Sequence, residues 1–247
     1  MKKRNILKFI PLLLCLSSSV LSAQVAPVKE KTVPLVTRDK GRHEMVNAKI
    51  EKQSSYDILM LGDSITHLLD EPKHLNKAWH KNSGENSKYV ARQLRGKTIL
   101  NAGISGENTV HLLSRLQNGL SKVKSKYTTI MIGTNDARTK LTVDQIAKNI
   151  EQAIKIVNEN NPDTQILLYA IFPRGNSEKD AARVKNQAVN KILATYPKKF
   201  KNVKFININK DLKERNGTVS TEMMYDRLHP TLKGYKVWIK SIKRETK

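Results

Sequence analysis

Five short apolar runs recur along the chain, at Asp57–Gly62, Thr98–Ala102, Thr129–Gly133, Gln165–Phe172 and Val203–Ile208. Each is rich in Ile, Leu or Val and bounded by polar residues, the pattern of strands buried on both faces. The segments between them carry helical period. Thr142-Val143-Asp144-Gln145 matches a capping box, after which Ile146, Ile150, Ile154 and Val157 share one face. Leu113, Leu116 and Leu120 repeat the period earlier in the chain. Val184, Ala188 and Ile192 do so later, as do Leu232, Tyr235, Trp238 and Ile242 near the end. Short buried strands alternating with helices predict an α/β protein with a parallel sheet covered by helices on both sides.

The beginning of the chain departs from this pattern. A basic start, Met1-Lys2-Lys3-Arg4, leads into an apolar stretch from Ile6 to about Val20 and then small residues around Leu21-Ser22-Ala23. That is the layout of a cleaved secretory signal, too short and too poorly flanked for a stable membrane span. Residues 1–23 are therefore expected to be removed, giving a periplasmic or extracellular protein. Lipidation at Cys15 ranks second, because Leu12-Leu13-Leu14 lacks the small residue usually needed before the cysteine. From Gln24 to Ser55 the chain is polar, interrupted by Pro27 and Pro34, and reads as a linker with a helix at Arg42–Lys52. The domain proper is expected at 56–247.

Composition narrows the partners. The formal net charge is +23, and loss of the four basic residues of the signal leaves +19. Such a field attracts nucleic acid, anionic membranes or acidic polysaccharides. The lysines are scattered along the chain, aromatic residues make up only 5%, and no run interleaves them with arginine. Nucleic-acid binding is disfavoured on those grounds; a solvated lysine-rich surface, an anionic membrane surface or an acidic glycan remains. Cys15 is the only cysteine, so the mature chain forms no internal disulfide.

In an open parallel sheet, ligands bind beyond the carboxyl ends of the strands. Those positions hold Gly62-Asp63-Ser64-Ile65-Thr66, Gly103-Ile104-Ser105-Gly106-Glu107 and Gly133-Thr134-Asn135-Asp136, with Asp226-Arg227-Leu228-His229-Pro230 before the last helix. Acyl transfer needs such a set. A serine hydroxyl requires a base, an imidazole requires an acceptor on its other nitrogen, and the tetrahedral oxyanion requires preorganised donors. Ser64, His229 and Asp226 fit the first three roles. The Ser64 and Gly106 backbone amides and the Asn135 side chain fit the last. Taken singly, each motif reads equally well as a turn or a helix cap. His67, one turn beyond Ser64, either contacts substrate or lies on a helix surface. Arg174 either holds a substrate oxygen or braces its loop, and Asp63 is a further candidate for substrate contact. His67, His74, His80 and His111 show no metal-ligand spacing, so no metal is expected.

Ser64, Gly106, Asn135 and His229 are the four residues after which the SGNH (GDSL-type) hydrolases are named, and the chain resembles that superfamily from about Asp57 to Trp238. The stretches Ile58 to Ser64, Asn101 to Thr109, Gly133 to Asp136 and Asp226 to His229 are similar to its four blocks. The resemblance implies a flavodoxin-like three-layer fold with sheet order 2-1-3-4-5 and ester hydrolysis without metal or cofactor. Ser64 is then nucleophile, His229 base, Asp226 its orienter, and Gly106 and Asn135 oxyanion donors. Arg42-His43-Glu44 and Phe172-Pro173-Arg174-Gly175 resemble the branch related to the catalytic subunits of platelet-activating-factor acetylhydrolase, whose exported bacterial members look like carbohydrate acetylesterases. Two departures are Glu107, where the family often has Asp, and Asn108 before Thr109. The reading that follows is removal of small acyl groups, foremost acetyl, from carbohydrate. A lysophospholipase or thioesterase is the enzymatic alternative, disfavoured by the polar stretch Leu68–Asn86. A glycan-binding module on a decayed scaffold is the alternative of another class, and the presence of every catalytic residue speaks against it.

Overall fold

The computed structural model describes residues 34–69 and 83–247. The expected signal segment, Cys15, the first part of the expected linker, and His74 and His80 with the middle of the polar stretch lie outside the described residues.

Five strands form one parallel sheet: β1 (Ser55–Gly62), β2 (Ile99–Asn101), β3 (Lys124–Met131), β4 (Gln165–Tyr169) and β5 (Val203–Ile206), in the order β2-β1-β3-β4-β5. The register places Met60 beside Asn101 and Thr129, and Leu168 beside Ile130 and Phe205. All pairings are parallel, so the central strands are covered on both faces and their side chains are apolar in both directions, as the continuous runs required. The strand β3 starts earlier than its apolar run because Lys124 and Lys126 point outward at the exposed entry to the sheet while Ser125 between them is buried.

Among the described residues, seven α-helices flank the sheet: α1 (Lys40–Lys52), α2 (Ser64–His67), α3 (Ser83–Gln93), α4 (Thr109–Gln117), α5 (Val143–Asn160), α6 (Ala181–Leu193) and α7 (Leu232–Glu245). Leu59, Leu61, Leu100, Ile130 and Leu168 form one core with the inner faces of α1, α4, α5 and α6. Ile58, Met60, Met131, Leu167 and Tyr169 form the other with α2, α3 and α7. The result is a three-layer α/β/α sandwich.

The capping box predicted for α5 is present, with the Thr142 hydroxyl accepting from the Gln145 amide and the Gln145 side chain accepting from the Thr142 amide. Ile146, Ile150, Ile154 and Val157 are all buried. In α7, Trp238 is sealed edge-on against Tyr169 at 5.8 Å and Phe172 at 5.3 Å. The helix α6 differs from its expectation. Val184 is 49% exposed, and the buried face is formed by Arg183, Asn186, Val189, Asn190 and Leu193. Two of its polar members are held by specific partners: Arg183 donates through Nη2 to the Gly217 carbonyl and Glu178, and Asn190 both accepts from and donates to the Ile171 backbone. A pattern that counts only apolar residues is therefore rotated relative to the true face.

The segment expected as a linker contains α1, capped by Asp39 and packed on the first core through Val46. Arg42 is also buried. Its Nη2 donates to the Asn101 carbonyl at 3.0 Å and its Nε to the Gly103 carbonyl at 3.3 Å, so this helix holds the end of β2. Among the described residues, no helix is long and apolar enough to cross a membrane.

Candidate active site

The nucleophile candidate stands where β1 turns sharply into α2. Asp63 caps that short helix by accepting from the Ile65 amide at 3.0 Å, which presents Ser64 at its first position. The turn requires close contacts. A Cβ on Gly62 would lie 2.0 Å from the Thr66 hydroxyl, and one on Gly103 would lie 2.5 Å from the His67 amide, so only glycine lets the ends of β1 and β2 pack against α2 at both points.

The Ser64 Oγ lies 2.9 Å from His229 Nε2, and His229 Nδ1 lies 2.7 Å from Asp226 Oδ2. These residues are 165 and 162 positions apart from Ser64 and meet only through the fold. The Asp226–His229 loop is itself tightly held. Asp226 Oδ1 accepts from the Leu228 and His229 amides, and the Tyr225 amide donates to the His229 carbonyl. Arg227 between them adopts φ +58°, a left-handed conformation uncommon for a residue other than glycine. Burial works against ionisation of Asp226, but the hydrogen bonds from His229 outweigh it and hold the carboxyl below its usual range. An ionised carboxylate can only accept, so Nδ1 carries the proton of the neutral imidazole and Nε2 is left to accept from Ser64.

Gly106 has φ +78°. Asn135 lies in the loop after β3 and its Nδ2 donates to the Glu107 carbonyl at 2.8 Å, which uses one of the two amide hydrogens. The same loop is tied to α4 by Asp136, which accepts from the Thr109 amide and hydroxyl. The structure thus brings Ser64, His229 and Asp226 into one hydrogen-bonded chain and joins the Gly106 loop to Asn135.

The remaining candidates divide. Asp63 has no exposed surface and its work is capping, so it supports the site from beneath and does not line it. Burial pushes its carboxyl up to about 7. His67 is buried, which corrects the helix-surface reading, and its Nδ1 meets the Ser105 hydroxyl at 2.9 Å. Arg174 is buried and braces the third loop through Nη1, donating to the Thr134 carbonyl at 2.8 Å. His111 completes a capping box with Asn108 at the start of α4, a structural role.

Several supports of the site carried no sequence signal beyond the place of Glu107 in the second motif. Glu107 and Arg115 form an ion pair at 2.8 Å with no exposure on either side chain. Arg115 Nη1 also donates to the Ala102 carbonyl, and the Thr37 hydroxyl donates to Glu107 from the other side at 2.7 Å. Tyr225 stacks on the His229 ring, with centroids 5.9 Å apart. Arg38 places its Nε 3.8 Å from where a Cβ on Gly106 would stand.

With this geometry defined, comparison with known proteins gives the class. The model of the GDSL-like lipase/acylhydrolase family matches residues 60–237. The platelet-activating factor acetylhydrolase IB subunit alpha2 of Rattus norvegicus is 31% identical over 186 residues, covering 74% of this chain and 73% of that protein. A GDSL-like lipase from Bacteroides thetaiotaomicron superposes with a TM-score of 0.63 at 19% identity, covering 84% of this chain and 97% of that one. An acetylxylan esterase from Geobacillus stearothermophilus, solved as a catalytic mutant, superposes with a TM-score of 0.59 at 19% identity, covering 78% and 94%. The chain belongs to the GDSL-like lipase/acylhydrolase family and is a carboxylic ester hydrolase.

Proposed function

We propose that this protein is an exported serine esterase that removes small acyl groups, foremost acetyl, from hydroxyls of carbohydrate substrates, with Ser64, His229 and Asp226 as its triad. The observation that carries this reading is the continuous hydrogen-bonded chain from Ser64 Oγ through His229 to Asp226, at 2.9 and 2.7 Å. Ser64 Oγ attacks the acyl carbon while its proton passes to His229 Nε2, and the Asp226 carboxylate stabilises the imidazolium formed. The developing oxyanion takes hydrogen bonds from the Ser64 and Gly106 amides and from the second Nδ2 hydrogen of Asn135. Collapse expels the sugar oxygen, which takes the proton from His229. Water activated by the same imidazole then cleaves the acyl-enzyme, releasing the carboxylic acid and restoring Ser64.

The acetyl assignment is supported by the names of the relatives: an acetylhydrolase subunit in the rat and an acetylxylan esterase among the structural neighbours. Carbohydrate as the acyl-bearing substrate, and export, are supported by the secretory layout of residues 1–23 and by the basic composition. In this reading the hydrolase domain occupies 56–247, and α1 packs against it.

The test is acetate release by the purified chain from acetylated glycans and from a chromogenic acetyl ester, with Ser64→Ala in parallel. Release by the wild type that vanishes in Ser64→Ala is expected. Turnover surviving in the mutant would remove Ser64 from the mechanism, and a wild type active only on long acyl chains would remove the acetyl assignment. N-terminal sequencing of protein recovered outside the cytoplasm is expected to begin at Gln24, and an intact Met1 would overturn export by cleavage.

A further inference from the structure

Arg174 is 4% exposed, yet among the described residues only one of its three guanidinium nitrogens is engaged. Nη1 donates to the Thr134 carbonyl at 2.8 Å and to the Thr134 hydroxyl at 3.2 Å, one residue before Asn135. Nε and Nη2, which share the opposite edge of the planar group, take no hydrogen-bond partner among the described residues. Nor do they belong to the polar atoms sealed from solvent without a partner, a set that does include nitrogens of Arg115 and Arg183. The edge is therefore held rigid from behind and open in front. That edge, with two parallel N–H groups, matches the two oxygens of a carboxylate.

The surroundings leave this edge without an internal counter-ion. Three carboxylates act on Arg174 through space, Asp180, Asp63 and Asp226, against one cation, Arg138. None of the three is hydrogen-bonded to Arg174 among the described residues. Asp180 caps α6 through the Ala182 and Arg183 amides, Asp226 holds His229, and Asp63 is sealed beneath α2. The Gly175 amide donates to the Arg227 carbonyl at 3.0 Å, inside the Asp226–His229 loop, which sets Arg174 beside the triad. On the other flank of the site, the exposed Arg38 guanidinium stands over Gly106.

We infer that Arg174 is a specificity-determining residue whose Nε/Nη2 edge binds a carboxylate on the substrate, so that the preferred acyl-bearing sugar is a uronate or another carboxylate-bearing sugar. The inference rests on the esterase reading above. A preorganised, charge-assisted pair of hydrogen bonds in a partly water-excluded position discriminates by about tenfold or more against a substrate that leaves the fork unpaired.

The experiment measures kcat/KM for the methyl glycosides of acetylated glucuronate and acetylated glucose, matched in acetyl position. The neutral chromogenic acetyl ester is assayed alongside. Wild type is expected to favour the uronate by at least about tenfold, with the ratio falling towards one in Arg174→Gln and to an intermediate value in Arg174→Lys, which keeps the charge without the fork. A wild-type ratio near one, or a preference that survives in Arg174→Gln, overturns the inference. Because Arg174 also braces Thr134, a reading that needs no variant is added: glucuronate is expected to inhibit hydrolysis of the chromogenic ester competitively and glucose is not, and equal or absent inhibition overturns it. Loss of all turnover on the neutral chromogenic ester by the wild type would instead defeat the esterase reading itself, so the two failures are distinct.

Discussion

Replacing Asp226 by asparagine exchanges one oxygen for an amide and thereby inverts what His229 can do. The carboxylate accepts from Nδ1 at 2.7 Å, whereas an amide in its place can donate to Nδ1 and favour the tautomer whose Nε2 bears the proton, which leaves Ser64 without a base. Oδ1, which accepts from two backbone amides, is retained, so the loop keeps its shape. Asp226→Asn is expected to lower kcat by about 10² to 10⁴-fold, nearer the smaller figure because the Asp226 side chain is 41% exposed and water shares its role. A loss under threefold would show that His229 is oriented by something else. Asn135→Ala removes a different element, a donor to the oxyanion, and is expected to reduce kcat by about 10²–10³-fold. It also releases the Glu107 carbonyl, so KM measured beside kcat separates loss of the donor from displacement of the loop. Asp63 provides a pH signature. Its folded carboxyl titrates near 7 against an ordinary value of 3.8, because burial disfavours the anion. The folded state then holds a proton that the unfolded state releases, so this contribution to stability is present at acid pH and is lost as pH rises from about 4 through 7. Asp63→Asn keeps the cap to Ile65 and removes the titration. Relative to wild type, its denaturation midpoint should rise steadily between those pH values, and a constant offset would refute the assignment.

At the scale of elements, the second and third loops act as one piece through Glu107 and Arg115. The pair is wholly buried and is tied through Thr37 to the segment that precedes α1, while the Glu107 carbonyl holds Asn135. Arg115→Met removes one partner and leaves a buried carboxylate, a defect costing about 3–5 kcal/mol by analogy with other broken buried pairs. Urea unfolding that shifts by less than about 1 kcal/mol would mean that water or another cation reaches Glu107. This pair also marks the limit of what the sequence shows. The helix α5 is legible because its cap and its apolar face are local, set by residues three and four apart. Three of the site motifs are legible because each follows an apolar run, and strand ends are where an open sheet gathers its chemistry; the fourth, Asp226 to His229, stands out by its place before the helical period of α7. The support from Thr37 is not local, since it meets Glu107 across 70 positions, and the stacking of Tyr225 on His229, though close in sequence, depends on a loop conformation that no apolar period encodes. The helix α6 misleads for a related reason, since it buries Arg183 and Asn186 against tertiary partners that no period of apolar residues reveals.

At the scale of the whole molecule, the net charge of +23 acts at a distance that the site itself does not. Fields from exposed lysines extend about 8–10 Å at physiological salt and collapse to about 3 Å at 1 M. A polymeric acidic substrate meets that field before it meets Ser64, so its capture depends on screening, whereas the acyl-transfer step occurs among buried groups that salt reaches poorly. Raising NaCl from about 20 to about 500 mM is therefore expected to increase KM for an acetylated polyuronate several-fold, with kcat little changed. Hydrolysis of a small neutral acetyl ester should vary by less than about twofold over the same range. The comparison separates two sources of preference for acid sugars. An effect of Arg174 is short-ranged and should persist on a monomeric uronate at high salt, while an effect of the scattered lysines should disappear there. If KM for the polymer ignores salt altogether, the basic surface is only a solvated shell, and any selectivity for acidic glycans must be built within the cleft.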